Sequence, residues 1–238
     1  MTEKTDPAAP FAPFGETETL PRTRFQKIVA RTMAANASTI PHVTHHDEVD
    51  ATALEEYRKA LPPEAKASPL LFIVKAVIEA LKEFPVFNAS LSADGGALVL
   101  KKYFHVGIAV DGPLGLLVPV LRDCDQKDIP ALSAELREMI GMARSKGLPL
   151  EKMSGGCFTI SSLGGIGGTS FTPIINAPEV AILGVTGIRT RPVWDGAAFV
   201  PRQMLPLSLS YDHRVINGAD AARFVNRIGD ALARPATL

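Results

Sequence analysis

Residues 204–225 read MLPLSLSYDHRVINGADAARFV, and two periods meet inside them. Leu205, Leu207, Leu209 and Tyr211 alternate with Ser208 and Ser210, the period-two pattern of a strand with one buried face. Continued to its end, the alternation puts His213 on the leucine side, pointing into the protein. Gly218 then opens a helix with Ala221, Phe224, Val225, Ile228 and Leu232 turned inward. A histidine at the end of a buried strand, just ahead of a glycine-led helix, sits where functional groups gather in α/β folds.

Working outward, the same two periods recur along the chain. Phe25, Ile28, Val29 and Met33 make an apolar face on a helix from Thr23 to Ala35, and Pro41 starts an extended segment through Val49. Asp50 is suited to cap a short helix near 51–60, which Pro62 and Pro63 end. Ser68 and Pro69 start a second helix, on which Leu70, Leu71, Val74, Val77, Ile78 and Leu81 recur at helical spacing. Segments 87–92 and 97–110 read as a strand pair around Asp94-Gly95-Gly96, and Leu116–Leu121 as a further strand. Asp128–Arg144 is an amphipathic helix stopped by Gly147. Phe158–Ser161 and Val180–Val185 are short strands flanking a loop with glycines at 164, 165, 167 and 168. Helices alternating with strands and some hairpins indicate a mixed α/β domain over 19–238. Residues 1–18, with Pro7, Pro10 and Pro13 among alanines and acids, read as a flexible arm that Phe11 and Phe14 pin to a surface.

Composition narrows the function classes. The 238 residues carry 25 Lys plus Arg and 25 Asp plus Glu, a balance without the basic surplus of a nucleic-acid or anionic-membrane binder. A hydrophobic fraction of 46% supports a real core. No apolar run approaches the ~20 residues of a spanning helix, and MTEKTDPAAP has no signal-peptide stretch. The two cysteines, Cys124 and Cys157, lack metal-ligand or CxxC spacing and read as buried thiols in a reducing, cytoplasmic compartment.

The stretch SLSYDHRVINGADAARF (208–224) closely resembles the signature of the dihydrolipoyl acyltransferases, the core subunits of 2-oxoacid dehydrogenase complexes. Their pattern is His-x-x-x-Asp-Gly. His213 and Gly218 match it, and Asn217 stands in place of the usual aspartate. GGCFTISSLGGIGGTSFTPIINAPEVAILGV (155–185) resembles the family's other signature, with further likeness in IPHVT (40–44), FNASL (87–91) and KKYFHVGIAVDGPLGLLVPVLRD (101–123). The likeness runs from about Phe14 to about Leu232, and its wording is most similar to the acetyl-specific, pyruvate dehydrogenase branch.

The resemblance implies a chloramphenicol-acetyltransferase-like, coenzyme A-dependent fold that is trimeric. It implies acyl transfer between a dihydrolipoyl thiol and the thiol of coenzyme A. A free thiol has a pKa of about 8.5, so a base must take its proton near neutrality, and histidine suits that task. By resemblance His213 is the base and Ser161 the hydroxyl that steadies the oxyanion. Ser162 points to the opposite face if 158–162 is a strand. Asn217 keeps an acceptor oxygen without the charge of aspartate, so its orienting contact with Arg24 is expected to weaken while activity survives. Coenzyme A phosphates need cations. Arg58 matches a family position near the 3′-phosphate, equally readable as a solvated helix charge, and Lys101 and Lys102 are further cations. Phe171 is expected to line the channel.

Other signals count for less. The 164–168 glycines lack GxGxxG or Walker spacing and serve as tight turns. His42, His45, His46 and Asp47 look metal-like, but on a strand they divide two and two between faces, so no metal is expected. Ser161 lacks the GxSxG elbow of a serine hydrolase.

The resemblance further implies a homotrimer whose active site takes histidine from one subunit and serine from the next. In the family, trimers build a larger cubic core through an apolar C-terminal plug. Here Pro235 stops the last helix and only Leu238 beyond it is large and apolar, an end less suited to that role. Only a short arm precedes the core, so the lipoyl group is expected on a separate domain. The 2-oxoacid dehydrogenase and dihydrolipoyl dehydrogenase components are the other implied partners. Two other assignments remain open: a stand-alone chloramphenicol-acetyltransferase-like acetyltransferase acting on a hydroxyl acceptor, and a non-catalytic scaffold subunit.

Overall fold

The segment that sets the fold becomes the longest strand of the molecule, Phe199–Asp212. The computed structural model describes residues 6–112, 115–145 and 147–238. In chain order it contains α1 (Arg24–Thr39), β1 (His42–Asp50), α2 (Thr52–Ala60), α3 (Pro69–Glu83), β2 (Ala89–Leu91), β3 (Leu98–Leu100) and β4 (Val106–Gly112). There follow β5 (Gly115–Leu117), β6 (Val120–Leu121), α4 (Ile129–Ser145), β7 (Phe158–Ser162), β8 (Ala181–Val185), β9 (Arg189–Trp194), β10 (Phe199–Asp212) and α5 (Gly218–Leu232).

One mixed sheet runs β1-β10-β8-β7-β4-β5, with β6 also on β4 and β9 on the near half of β10. β7 lies parallel to both neighbours, β4 and β8, while β10 is antiparallel to β8 and β1. One face of this sheet is apolar. Val106, Ile108, Phe158, Ile160, Leu183, Leu207, Leu209 and Tyr211 join one core with α3, α4 and α5. Helix α3 is buried on nearly every side, as its run of Leu, Phe, Ile and Val requires. Burying each such side chain contributes about 1.5–3 kcal/mol. The opposite face is built from small and polar residues, among them Ala109, Thr159, Ser161, Gly184, Ser208 and Ser210.

Local chemistry fixes the ends. Thr23 accepts from Gln26 N–H while the Gln26 side chain accepts from Thr23 N–H, a reciprocal cap on α1. Ser68 caps α3 with Pro69 in its first turn. Asp128 accepts from Ala131 N–H at 2.8 Å at the head of α4, and Gly147 follows with φ +81°. Asp50 ends β1 rather than capping α2 directly, yet its carboxylate still accepts from Thr52 N–H at 2.8 Å.

Five further expectations need correction. Segment 97–110 is two strands, because β3 pairs with β2 in a separate ribbon whereas β4 enters the main sheet. Leu116–Leu121 breaks into β5 and β6 around Val118 and Pro119, since proline cannot donate to a ladder. β10 is buried on both faces over 205–212, because Ser208 and Ser210 turn their hydroxyls to His46 and Thr44 on β1 at 2.9 and 2.8 Å. Nor does His213 point into this chain: it is exposed. The ladder ends at Asp212, whose backbone carbonyl accepts from Val215 and Ile216 N–H and whose carboxylate accepts from Arg214 N–H. That turn carries His213 off the sheet before the alternation can reach it. Of the 1–18 arm, residues 1–5 lie outside the described residues. Residues 6–18 are largely exposed around one 3-10 turn at Ala12–Phe14, with Phe11 60% and Phe14 88% exposed, so neither ring is pinned within this chain.

Candidate active site

Strand β7 carries two consecutive serines, and the pleat sends them to different places. Ser161 lines a cavity of about 410 Å³ between the polar face of the sheet and α1. Phe25, Ile28, Val29 and Met33 of α1, the apolar face expected from the sequence, form its far wall. Ser162 lines a second cavity of about 330 Å³, with Ser68 and Leu70 at the start of α3, Gly164, Gly165 and Gly187.

Phe171 is brought to Ser161. Gly184 pairs with Ser161 across the parallel ladder, and a Cβ at Gly184 would lie 2.8 Å from the Phe171 ring. Glycine is thus required there to let an aromatic ring lie on the sheet beside the hydroxyl. Thr159, two residues before Ser161 and on the same face, lines the cavity with Asn176 and Ile182. His42 clips the segment that carries these residues. Its Nδ1 donates to the Ile40 carbonyl at 2.8 Å and its Nε2 accepts from Ile175 N–H at 2.9 Å, which fixes one neutral tautomer. Asn36 of α1 holds the same segment through the Ile175 carbonyl at 3.0 Å. Alternation from Ser161 points to Thr159, but nothing local in the sequence marks His42 as a clip.

His213 is not brought to Ser161 within one chain. Ser161 is level with Gly184, and Gly184 with Ser208. His213 lies five residues further on, hence roughly 16 Å along the strand and roughly 10 Å across two strand spacings. Its N–H donates to the Pro41 carbonyl at 3.1 Å, and its ring tilts against Tyr211 with centroids 5.7 Å apart. Asp212 is buried and holds Arg214 through Nε and Nη2, at 2.6 Å for the shorter contact.

The remaining candidates are dispersed. Asn217 does not meet Arg24 in this chain. It caps α5, accepting from Asp220 N–H at 3.0 Å and donating to the Asp220 carboxylate at 2.6 Å. Arg24 is exposed at the first turn of α1, next to the cavity residue Phe25. Arg58 is half-buried, paired with Glu55 and donating to the Ala67 carbonyl at 3.0 Å. Lys102 is exposed beyond β3, while Lys101 donates to the Gly156 carbonyl at 3.4 Å.

Neither thiol is poised for nucleophilic work. Burial pushes Cys124 up to about 12, and burial also raises Cys157. Among the described residues no three His, Cys, Asp or Glu side chains converge on a cation site. His46 is turned to Ser208 while His45 and Asp47 share the other face.

The mixed sheet, with a serine in its cavity and a histidine at the strand end two strands away, has the fold of one class of acyltransferases. Chloramphenicol acetyltransferase shares it as fold alone, with a TM-score of 0.61 at 17% identity over 91% of this chain and 99% of that one. Within that class the chain belongs to the family of 2-oxoacid dehydrogenases acyltransferase (catalytic domain), which it matches over residues 14–238. It is 56% identical to the dihydrolipoyllysine-residue acetyltransferase component of the pyruvate dehydrogenase complex of Azotobacter vinelandii, over 94% of this chain and 36% of that protein. The Pseudomonas aeruginosa component is 52% identical over 98% of this chain and 43% of its own length. The chain therefore spans well under half of these curated relatives.

Two solved structures superpose with TM-scores of 0.91 at 55% identity, each covering 94% of either chain. One is the cubic core of the pyruvate dehydrogenase multienzyme complex. The other is Azotobacter vinelandii dihydrolipoamide acetyltransferase, from work on a serine, a histidine and an asparagine in its catalytic mechanism. Those three follow one another in the same order and at the same separations as Ser161, His213 and Asn217. An asparagine at the third position is thus shared with that enzyme rather than peculiar to this chain.

Proposed function

We propose that this chain is the catalytic domain of a dihydrolipoyllysine-residue acetyltransferase, with residues 19–238 as one core. It moves an acetyl group between the thiols of coenzyme A and a dihydrolipoyl group carried by a separate domain. The observation that carries the reading is the Ser161–His213–Asn217 set, spaced as in the Azotobacter vinelandii enzyme, with Ser161 in an apolar cavity beside Phe171.

The chemistry follows from the side chains. His213 takes the proton of the attacking thiol, and the thiolate forms a bond to the thioester carbonyl carbon. The carbonyl oxygen becomes an oxyanion, to which Ser161 Oγ–H donates a hydrogen bond. Re-formation of the C=O bond expels the other thiolate, which receives the proton from the imidazolium. Asn217, by capping α5, sets the direction in which the chain leaves His213.

His213 of one subunit works with Ser161 of its neighbour in a homotrimer. In support, the two lie too far apart in one chain to share a substrate. The cavity mouth also leaves Ile28 44%, Leu116 56% and Ile174 40% exposed, apolar surface suited to a covering subunit. Phe171 packs on the pantetheine arm, and Arg58, Arg24 and Lys102 supply positive charge for the phosphates. Arg58 must exchange Glu55 for a phosphate to do so. Trimers assemble into a larger cubic core, like that of the structurally similar pyruvate dehydrogenase complex. Its partners are the lipoyl domain and the 2-oxoacid dehydrogenase and dihydrolipoyl dehydrogenase components. The charge is balanced, and among the described residues no helix is long and apolar enough to cross a membrane. The compartment is the cytoplasm.

Acetyl transfer from acetyl-coenzyme A to dihydrolipoamide tests the reading. The purified chain should be active, and His213→Ala should lose about 10²–10⁴-fold in kcat with the trimer intact by light scattering. Retained activity in the variant, or an active monomer, overturns the assignment.

A further inference from the structure

Behind the wall that carries Thr159 and Ser161 sits an acidic side chain that the transfer chemistry does not use. Glu179 is only 4% exposed. Its Oε1 packs against Gly156, where a Cβ would come within 2.8 Å, so glycine is needed to admit the carboxyl group. Glu179 Oε2 and Thr159 Oγ1 are both buried, and neither meets a partner in full hydrogen-bond geometry, so the contact between the two side chains is a weak one. Asn176, the other polar neighbour, lines the Ser161 cavity together with Thr159.

The groups facing this carboxyl leave it without a full counter-charge. Lys101, beyond β3, gives its amine to the Gly156 carbonyl instead. Cys157, ahead of β7, is a buried thiol kept neutral by burial. Across the 177–180 segment, a cleft of about 420 Å³ holds Asp94, Asp212 and Arg214. There Asp212 is neutralised by Arg214, and Asp94 is bonded to Ser92. An unpaired carboxylate buried this way is costly, and the group neutralises instead.

We propose that Glu179 is a positioning residue of the transfer site: as a neutral acid it fills the space behind Thr159 and Asn176 on the cavity wall, and its ionisation slows transfer from behind that wall. Burial raises its pKa to about 7, with Thr159, Lys101 and Asn176 pulling it part of the way back, so the proton is lost within the working range of a histidine base. An anion beneath the cavity opposes the oxyanion that forms at Ser161, two residues from Thr159 on the same strand face. This inference rests on the transfer reading above.

The test compares the full chain with Glu179→Gln in the acetyl-coenzyme A to dihydrolipoamide assay across pH. The ratio of kcat, variant over unmodified, should be near one at about pH 6 and rise about tenfold by about pH 9. A ratio that stays flat, including a variant inactive at every pH, overturns the proposal. Infrared spectroscopy gives a second reading independent of turnover. The unmodified chain should show a solvent-shielded carboxylic-acid C=O band at about pH 6 that is gone by about pH 9 and is absent from the variant. A chain without that band overturns the proposal even if the variant fails to fold. A chain with the band but no transfer activity overturns the function and leaves the state of Glu179 established.

Discussion

Replacing Ser161 with alanine should lower kcat for acetyl transfer by about 10²–10³, the usual effect of losing one oxyanion donor. Ser162→Ala should leave kcat within about threefold, because its hydroxyl opens into the other cavity. Steady-state kinetics of the two variants side by side decides between the neighbours. That the two serines face different ways was legible from alternation, while the choice of Ser161 over Ser162 rests on the family resemblance. His213 was legible as a residue but not in its orientation, because the Asp212 side chain bends the chain through a hydrogen bond that periodicity does not encode. Asn217 carried a third lesson. Within one chain it does not meet Arg24, and its visible task is to cap α5. Asn217→Ala should cost about 1 kcal/mol in denaturant unfolding, and Asn217→Asp a comparable amount, since aspartate keeps the cap but replaces the donor to Asp220 with a second carboxylate.

At the scale of elements, legibility tracked how much of the information was local. Helix α3 announces itself through Ser68, Pro69 and an uninterrupted apolar period, all within one stretch. The break between β3 and β4 does not, because it depends on which distant strand each segment meets. β9 went unmarked for the same reason: its partner is the near half of β10, and its side chains are mostly exposed. The contact of β8 with Phe171 is an element-scale constraint with a sharp test. Gly184→Ala places a methyl group 2.8 Å from the ring and should displace it, raising KM for coenzyme A about tenfold with a smaller change in kcat. An unchanged KM would remove Phe171 from the binding surface.

The whole molecule adds assembly and pH. In a trimer with shared sites, His213→Ala chains and Ser161→Ala chains are each inactive, yet subunits exchanged between them at equal proportion should regain about a quarter of normal activity, since that share of interfaces joins an intact histidine to an intact serine. No recovery after verified exchange would place both residues in one subunit's site. The acidic group behind the cavity also marks stability. Glu179 has a folded pKa near 7 against an ordinary 4.5, so between these values the native state holds a proton that the unfolded chain has released. Stability from this group is therefore complete at low pH and falls as pH rises from about 4.5 to about 7. Glu179→Gln should flatten that fall, with Tm gaining more at about pH 8 than at about pH 5 in calorimetry. Composition had bounded the molecule to a balanced, core-forming domain, but a buried acid with no matching base is invisible to a net charge of zero.

Ser161 and Ser162 differ only in which side of one strand they occupy, and a strand has no other means of telling odd from even positions. β7 is held between parallel neighbours on both sides, β4 and β8, by Ser161 opposite Ala109 and Gly184. A slip of one residue would exchange the two hydroxyls between the chambers and, by the same step, turn Phe158 and Ile160 out of the core. The hydrogen-bond ladder of β7 thus works as an indexing device. Because the alternate residues Phe158 and Ile160 are locked in the core, the wrong serine could be presented only at the cost of the fold, so packing itself guards which hydroxyl faces the cavity.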